Sequence, residues 1–122
     1  MAHVLVAEDN DSVRAFVERA LETLGHSVTA VADGGAALTE ITAQKSGNDF
    51  DLVLTDIVMP VMDGISLALK LAASHPDLPV VMMTGYSAER QRAHNLDELI
   101  LEVLEKPFSI ADLEGAVKKA VS

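Results

Sequence analysis

Apolar residues in this chain fall into short unbroken runs, separated by stretches with helical spacing. His3-Val4-Leu5-Val6-Ala7, Leu52-Val53-Leu54 and Val80-Val81-Met82-Met83 are nearly continuous, as strands covered on both faces of a parallel sheet are. Val13, Phe16, Val17, Ala20, Leu21 and Leu24 recur at i, i+3, i+4, i+7, i+8 and i+11, which is one face of a helix. Gly25 supplies a left-handed stop. His26 to Val31 reads as a second strand, Asp33-Gly34-Gly35 as a turn, and Ala36 to Gln44 as a helix with Ala37, Leu38 and Ile41 inward. Ser46 to Asp49 is a loop. Ile65 to Ser74 is helical, with Ile65, Leu67, Ala68, Leu71 and Ala72 mostly buried, and His75-Pro76-Asp77-Leu78-Pro79 ends it.

The C-terminal third is less regular. Ser87 to Leu96 is polar and weakly periodic, a poor fourth helix. Leu96, Leu99, Ile100, Val103 and Leu104 fit a helical period, but Lys106-Pro107 follows, and the residue before a proline avoids helical angles. A strand over about Ile100 to Leu104 is therefore expected. Ser109 to Asp112 resembles a capping box with Asp in the place of Glu. Ile110, Leu113, Val117, Ala120 and Val121 form the apolar face of the last helix. Five strands alternating with five helical segments predict one α/β domain over residues 1–122, doubly wound around a parallel sheet.

Composition narrows the functions. The net charge of -10 argues against direct DNA or RNA binding, which needs a basic footprint, and against anionic lipid. The sequence contains no cysteine, which excludes disulfides and thiolate chemistry. No basic-then-apolar leader opens it and no apolar run reaches membrane-spanning length. A cytoplasmic protein is expected.

The candidate chemistry lies where the strands end. The first ends at Glu8-Asp9, the third at Asp56, the fourth at Thr84 and the fifth at Lys106. Taken singly, each is an ordinary residue at a strand end. In a parallel sheet these ends share one edge, where ligands bind, so the side chains should converge. Three close carboxylates repel, and one tends to keep its proton unless a hard cation binds. Mg²⁺ takes one or two carboxylates, waters and phosphate oxygens. Asp56 then stays ionised as a nucleophile. Mg²⁺, the Lys106 ammonium and the Thr84 hydroxyl can each meet one oxygen of an incoming phosphoryl group.

With Glu8-Asp9, Thr55 to Pro60, Met62-Asp63-Gly64, Thr84-Gly85 and Lys106-Pro107-Phe108 in place, the chain resembles the response-regulator receiver domains of two-component signalling, from Val4 to Val121. The resemblance implies a CheY-like, flavodoxin-like sheet of order 2-1-3-4-5. It implies phosphorylation of Asp56 by a sensor histidine kinase or histidine phosphotransferase, in a phosphoacceptor that is not a multiple-turnover enzyme. It implies Mg²⁺ on Asp9, Asp56 and the Val58 carbonyl, with Glu8 acting mainly through the metal's waters, and a cis Lys106-Pro107 bond. Within the family, Val4 to Asp9, Arg14-Ala15-Phe16, Arg19 to Glu22 and Asp56 to Gly64 resemble the CpdR-type single-domain regulators of alphaproteobacteria. Those act with the ClpXP protease, which makes the ClpX machinery the implied output partner. Because the chain opens with Met1 and stops just after the last helix, a stand-alone receiver is expected rather than the receiver of a hybrid kinase.

Two features depart from the family pattern, the residue at Val103 and the weak fourth helix at Ser87 to Leu96. Many receivers carry an aromatic switch three residues before the lysine, where this chain has Val103. Tyr86 is the candidate replacement, and phosphorylation is expected to order the segment from Tyr86 to Leu99. Val58 and Tyr86 should flank the phosphoryl group without positioning water, so its loss should be slow. Two other functions compete: an aspartyl-nucleophile phosphatase of the haloacid dehalogenase kind, which wants an acid where Val58 stands, and a pseudo-receiver that binds partners without phosphorylation.

Overall fold

The computed structural model describes residues 2–43, 50–85 and 100–121. The elements run β1 (His3–Ala7), α1 (Asp11–Thr23), β2 (Ser27–Val31), α2 (Gly34–Ala43), β3 (Leu52–Asp56), α3 (Gly64–Ser74), β4 (Val80–Thr84), β5 (Glu102–Glu105) and α4 (Ile110–Val121). The strands form one sheet of order β2-β1-β3-β4-β5, and every pairing is parallel. The doubly wound, flavodoxin-like α/β fold is therefore the one expected. The loop at Ser46–Asp49, the weak helix at Ser87–Leu96 and Tyr86 lie outside the described residues.

Strand residues alternate between the two faces of a sheet, and each face here is apolar. Leu5, Ala7, Val53, Val80 and Met82 pack against Ala37 and Ile41 of α2 and Leu67, Ala68 and Leu71 of α3. Val4, Val6, Leu52, Leu54, Val81 and Met83 pack against Val17, Ala20 and Leu21 of α1 and Leu113, Ala116 and Val117 of α4. The unbroken apolar runs thus follow from helices on both sides of the sheet.

The helix ends follow local chemistry. Asn10 caps α1, its side chain accepting from the Val13 N–H at 3.0 Å. Asp63 caps α3 by accepting from the Ser66 N–H at 2.8 Å. Ser109 and Asp112 exchange two 3.0 Å bonds, the expected box with Asp doing the work of Glu. Gly25 has φ +96°, a conformation costly for side-chain-bearing residues.

Four expectations need correction. The α2 helix starts at Gly34, not Ala36, because Asp33 Oδ1 accepts from the Ala36 N–H at 2.7 Å and draws both glycines into the first turn. The β5 strand starts at Glu102, not Ile100, since the ladder to β4 begins with Val81 opposite Glu102. Phe16 is 44% exposed although it lies on the apolar stripe of α1; its ring meets Phe108 at 6.5 Å instead of the sheet. Ile110 and Val121, at the two ends of α4, are also exposed. Val103 is half-buried and packs on the α2–α3 side. The Lys106-Pro107 bond is cis, as expected.

Candidate functional site: an acidic pocket at the carboxyl edge of the sheet

Register alone brings the site together. Ala7 lies opposite Thr55 in the β1–β3 ladder, so the next residues, Glu8 just past β1 and Asp56 at the end of β3, come side by side. Thr84, the last residue of β4, pairs with Glu105, and its carbonyl accepts from the Lys106 N–H at 2.7 Å. Glu8 and Thr84 are fully buried, Asp56 is 7% exposed, and Asp9 is exposed. Carboxylate oxygens of Glu8, Asp9 and Asp56 lie within 4.8 Å of one another.

Lys106 ties this cluster. Its Nζ donates to Glu8 Oε1 at 2.6 Å and to Asp56 Oδ2 at 3.2 Å. The other Glu8 oxygen accepts from the Asn10 N–H at 3.1 Å, and Asp56 Oδ1 accepts from the Ile57 N–H at 2.9 Å. Burial pushes Asp56 up to about 7, the Glu8 charge adds to that, and Lys106 offsets part of it. Burial also raises Glu8, but its bonds to Lys106 and the Asn10 N–H outweigh this and hold it below its ordinary value. Lys106 loses by burial and gains more from the two carboxylates, so it is held above its ordinary value. Of the two carboxyls, Asp56 is therefore the one biased towards its protonated form, and Glu8 towards its ionised form. Burial is the main cause of that bias, and the like charge of Glu8 adds to it.

The donor set suits a hard divalent cation: carboxylate oxygens, one of them exposed and open to water-bound metal. A cation there would replace the proton on Asp56. Val58 lies two residues beyond Asp56 in the connection to α3, and its side chain is half-exposed. Sequence reasoning missed three supporting groups. The Thr55 hydroxyl donates to the Asp56 carbonyl at 3.0 Å. Arg14 donates to the Glu8 carbonyl at 2.9 Å and pairs with Asp11 at 2.6 Å. Asn10 caps α1 while its N–H holds Glu8. The signal for Asn10 and Arg14 was their place in the first turn of a helix that begins beside the acid pair.

Residues 4–118 match the family model for the response regulator receiver domain. The chain belongs to this family. It is 37% identical to the response regulator receiver protein CpdR of Brucella abortus, over 98% of this chain and 96% of that protein. It is 41% identical to the sensor kinase CckA of the same organism over 97% of this chain, but spans only 12% of that kinase. Among solved structures, a receiver domain protein from Clostridium thermocellum superposes with a TM-score of 0.89 at 26% identity, covering 99% of this chain and 94% of that one. The response regulator TrrA of Thermotoga maritima, in complex with Mg²⁺-BeF, superposes with a TM-score of 0.87 at 26% identity, covering 98% and 99%. As a receiver domain, the chain is a phosphoacceptor of two-component signalling and not a multiple-turnover enzyme. Receiver domains take their phosphoryl group from histidine kinases. Among the described residues no helix is long and apolar enough to cross a membrane.

Proposed function

We propose that Asp56 is the residue that accepts the phosphoryl group, within a single receiver domain spanning residues 1–122. The carrying observation is the Asp56 carboxyl held between the Lys106 ammonium and the Ile57 N–H, beside two further acids. An Asp56 oxygen attacks the phosphorus of a phosphohistidine; the P–N bond breaks, and the imidazole leaves with the electron pair and takes up a proton. Mg²⁺, when bound, neutralises phosphoryl oxygens and keeps Asp56 ionised. Asp9, Asp56 and the Val58 carbonyl would hold it, with Glu8 reaching its waters. Glu8 keeps Lys106 aimed at Asp56, and the Lys106 ammonium meets a second phosphoryl oxygen. The Thr84 hydroxyl, buried at the end of the neighbouring strand, donates to a third.

The donor is a sensor histidine kinase or histidine phosphotransferase in the cytoplasm. The likeness to CpdR-type regulators supports regulation of ClpXP proteolysis as the output. Intact mass after incubation with Mg²⁺ and an acyl phosphate donor tests the chemistry: one phosphate on the wild type and none on Asp56→Ala is expected. Phosphate retained by Asp56→Ala would overturn the assignment. Binding of the purified chain to ClpX, with and without the phosphate, tests the output; no binding in either state would exclude it.

A further inference from the structure

The connection from β3 to α3 carries a backbone conformation that its sequence does not favour. Val61 has φ 68°, a region in which a β-branched residue is strained. The Met62 N–H donates to the Pro60 carbonyl at 2.7 Å, which closes a tight γ-turn around Val61. Val61 is also 86% exposed, so burial of its side chain does not hold it there. Strain of this kind persists only where surrounding structure over-determines it.

Two backbone contacts do so. At the near end the Gly64 N–H donates to the Ile57 carbonyl at 2.7 Å, and a Cβ on Gly64 would overlap the Asp56 carbonyl oxygen. At the far end the Gly34 N–H, in the first turn of α2, donates to the Met62 carbonyl at 3.1 Å. A Cβ on Gly34 would overlap that carbonyl oxygen and come within 3.0 Å of its carbon. Gly34 is not at positive φ, so space, not backbone freedom, demands glycine here. A neighbour that is backbone cannot swing aside as a side chain could. By contrast, a Cβ on Gly35 would meet Val61 Cγ1 at 3.0 Å, which a rotamer change can relieve.

We propose that Gly34 is a positioning residue for the phosphoacceptor site: its clamp on Met62 sets the course of the connection from Ile57 to Asp63, and through it the cation-binding geometry at Asp56 and Val58. Gly34 touches neither phosphate nor metal. It acts from the start of α2, through a loop too short to absorb a shift of Met62 without moving its other end. The inference rests on the proposed Mg²⁺ site, but its first readout does not.

The test compares Gly34→Ala with Gly25→Ala in the full chain. Gly25 has φ +96° with nothing within 4 Å of an added Cβ, so alanine there is strained but remote from the site. In metal-free protein, Gly34→Ala is expected to move the amide resonances of Ile57, Val58 and Met59, and Gly25→Ala to leave them in place. In Mg²⁺ titrations Gly34→Ala should weaken affinity about tenfold and Gly25→Ala less than twofold. Equal effects of the two variants, or unmoved amides in a folded Gly34→Ala protein, would overturn the proposal. If Gly34→Ala does not fold, wild-type hydrogen exchange decides. Coupling is reciprocal, so Mg²⁺ must slow exchange of the Gly34 amide more than that of the Gly25 amide, and equal slowing would overturn it. A wild type that binds no Mg²⁺ defeats the function proposed above, whereas the amide shifts still judge the clamp.

Discussion

The two edges of the sheet treat polar groups in opposite ways. At the amino edge, the His3 N–H donates to Asp51 Oδ2 at 2.8 Å, the Ala2 N–H donates to His26 Nδ1 at 3.0 Å, and the His3 ring contacts Thr29 Oγ1 at 3.2 Å. His3 also packs on Phe50 with ring centroids 4.3 Å apart. Among the described residues there, these contacts pair a donor with an acceptor and set no two like charges together. At the carboxyl edge two buried carboxyls share one lysine, and burial pushes one of them, Asp56, up to about 7. That edge is built for a state in which more positive charge arrives. The contrast separates polar residues that close a fold from polar residues that await a ligand.

Removing the lysine should break the contrast most severely. Lys106→Met leaves the buried Glu8 charge uncompensated, and losing one partner of a buried pair costs about 3 kcal/mol or more. Urea unfolding in chelator should show that loss, and Mg²⁺ should restore part of it; a variant as stable as wild type would mean that the pair is idle.

The Asp56 carboxyl sharpens the contrast through pH. Its folded pKa, about 7, is raised above the ordinary 3.8. Between those values the unfolded chain has released a proton that the folded chain keeps, so stability falls as pH rises through this window. From pH 5 upward the depressed Glu8 and the raised Lys106 stay ionised, so Asp56 carries the change there. In chelator, Asp56→Asn should therefore gain about 2 kcal/mol relative to wild type between pH 5 and pH 8. A flat difference across that range would exclude the conflict at Asp56.

Smaller effects are expected where a group holds the site only indirectly. Asn10→Ala removes the cap of α1 and should cost about 1 kcal/mol in thermal unfolding; its backbone N–H still reaches Glu8, so phosphate uptake should remain. Loss of uptake would give the Asn10 side chain a direct part. At the other edge Asp51→Ala removes one exposed bond to the His3 N–H and should cost about 1 kcal/mol or less. Its uptake of phosphate should match wild type, and a defect there would show that the two edges communicate.

Much of this arrangement was legible in the residues. The runs at residues 3–7, 52–56 and 80–84 appear as strands where they were expected, because a strand covered by helices on both sides needs apolar residues without interruption. The acids, Thr84 and Lys106 could be placed on one edge because parallel strands end together. The start of β5 was misplaced by two residues because Ile100 is buried without pairing in the ladder. Phe16 lies on the apolar stripe of α1 yet is 44% exposed, with Phe108, distant in sequence, as its ring neighbour at 6.5 Å.

Among the described residues, the sequence by itself determined the kind and order of the elements, the acids, hydroxyl and lysine at the strand ends, and the family. Those depend on periodicity and on residues near one another along the chain. Tertiary structure alone decided how deeply Glu8 and Asp56 are buried, that Lys106 lies closer to Glu8 than to Asp56, and that the first glycine of α2 bonds to the Met62 carbonyl. Each depends on distances of a few ångströms between residues far apart in the chain, and on how deeply burial removes them from water.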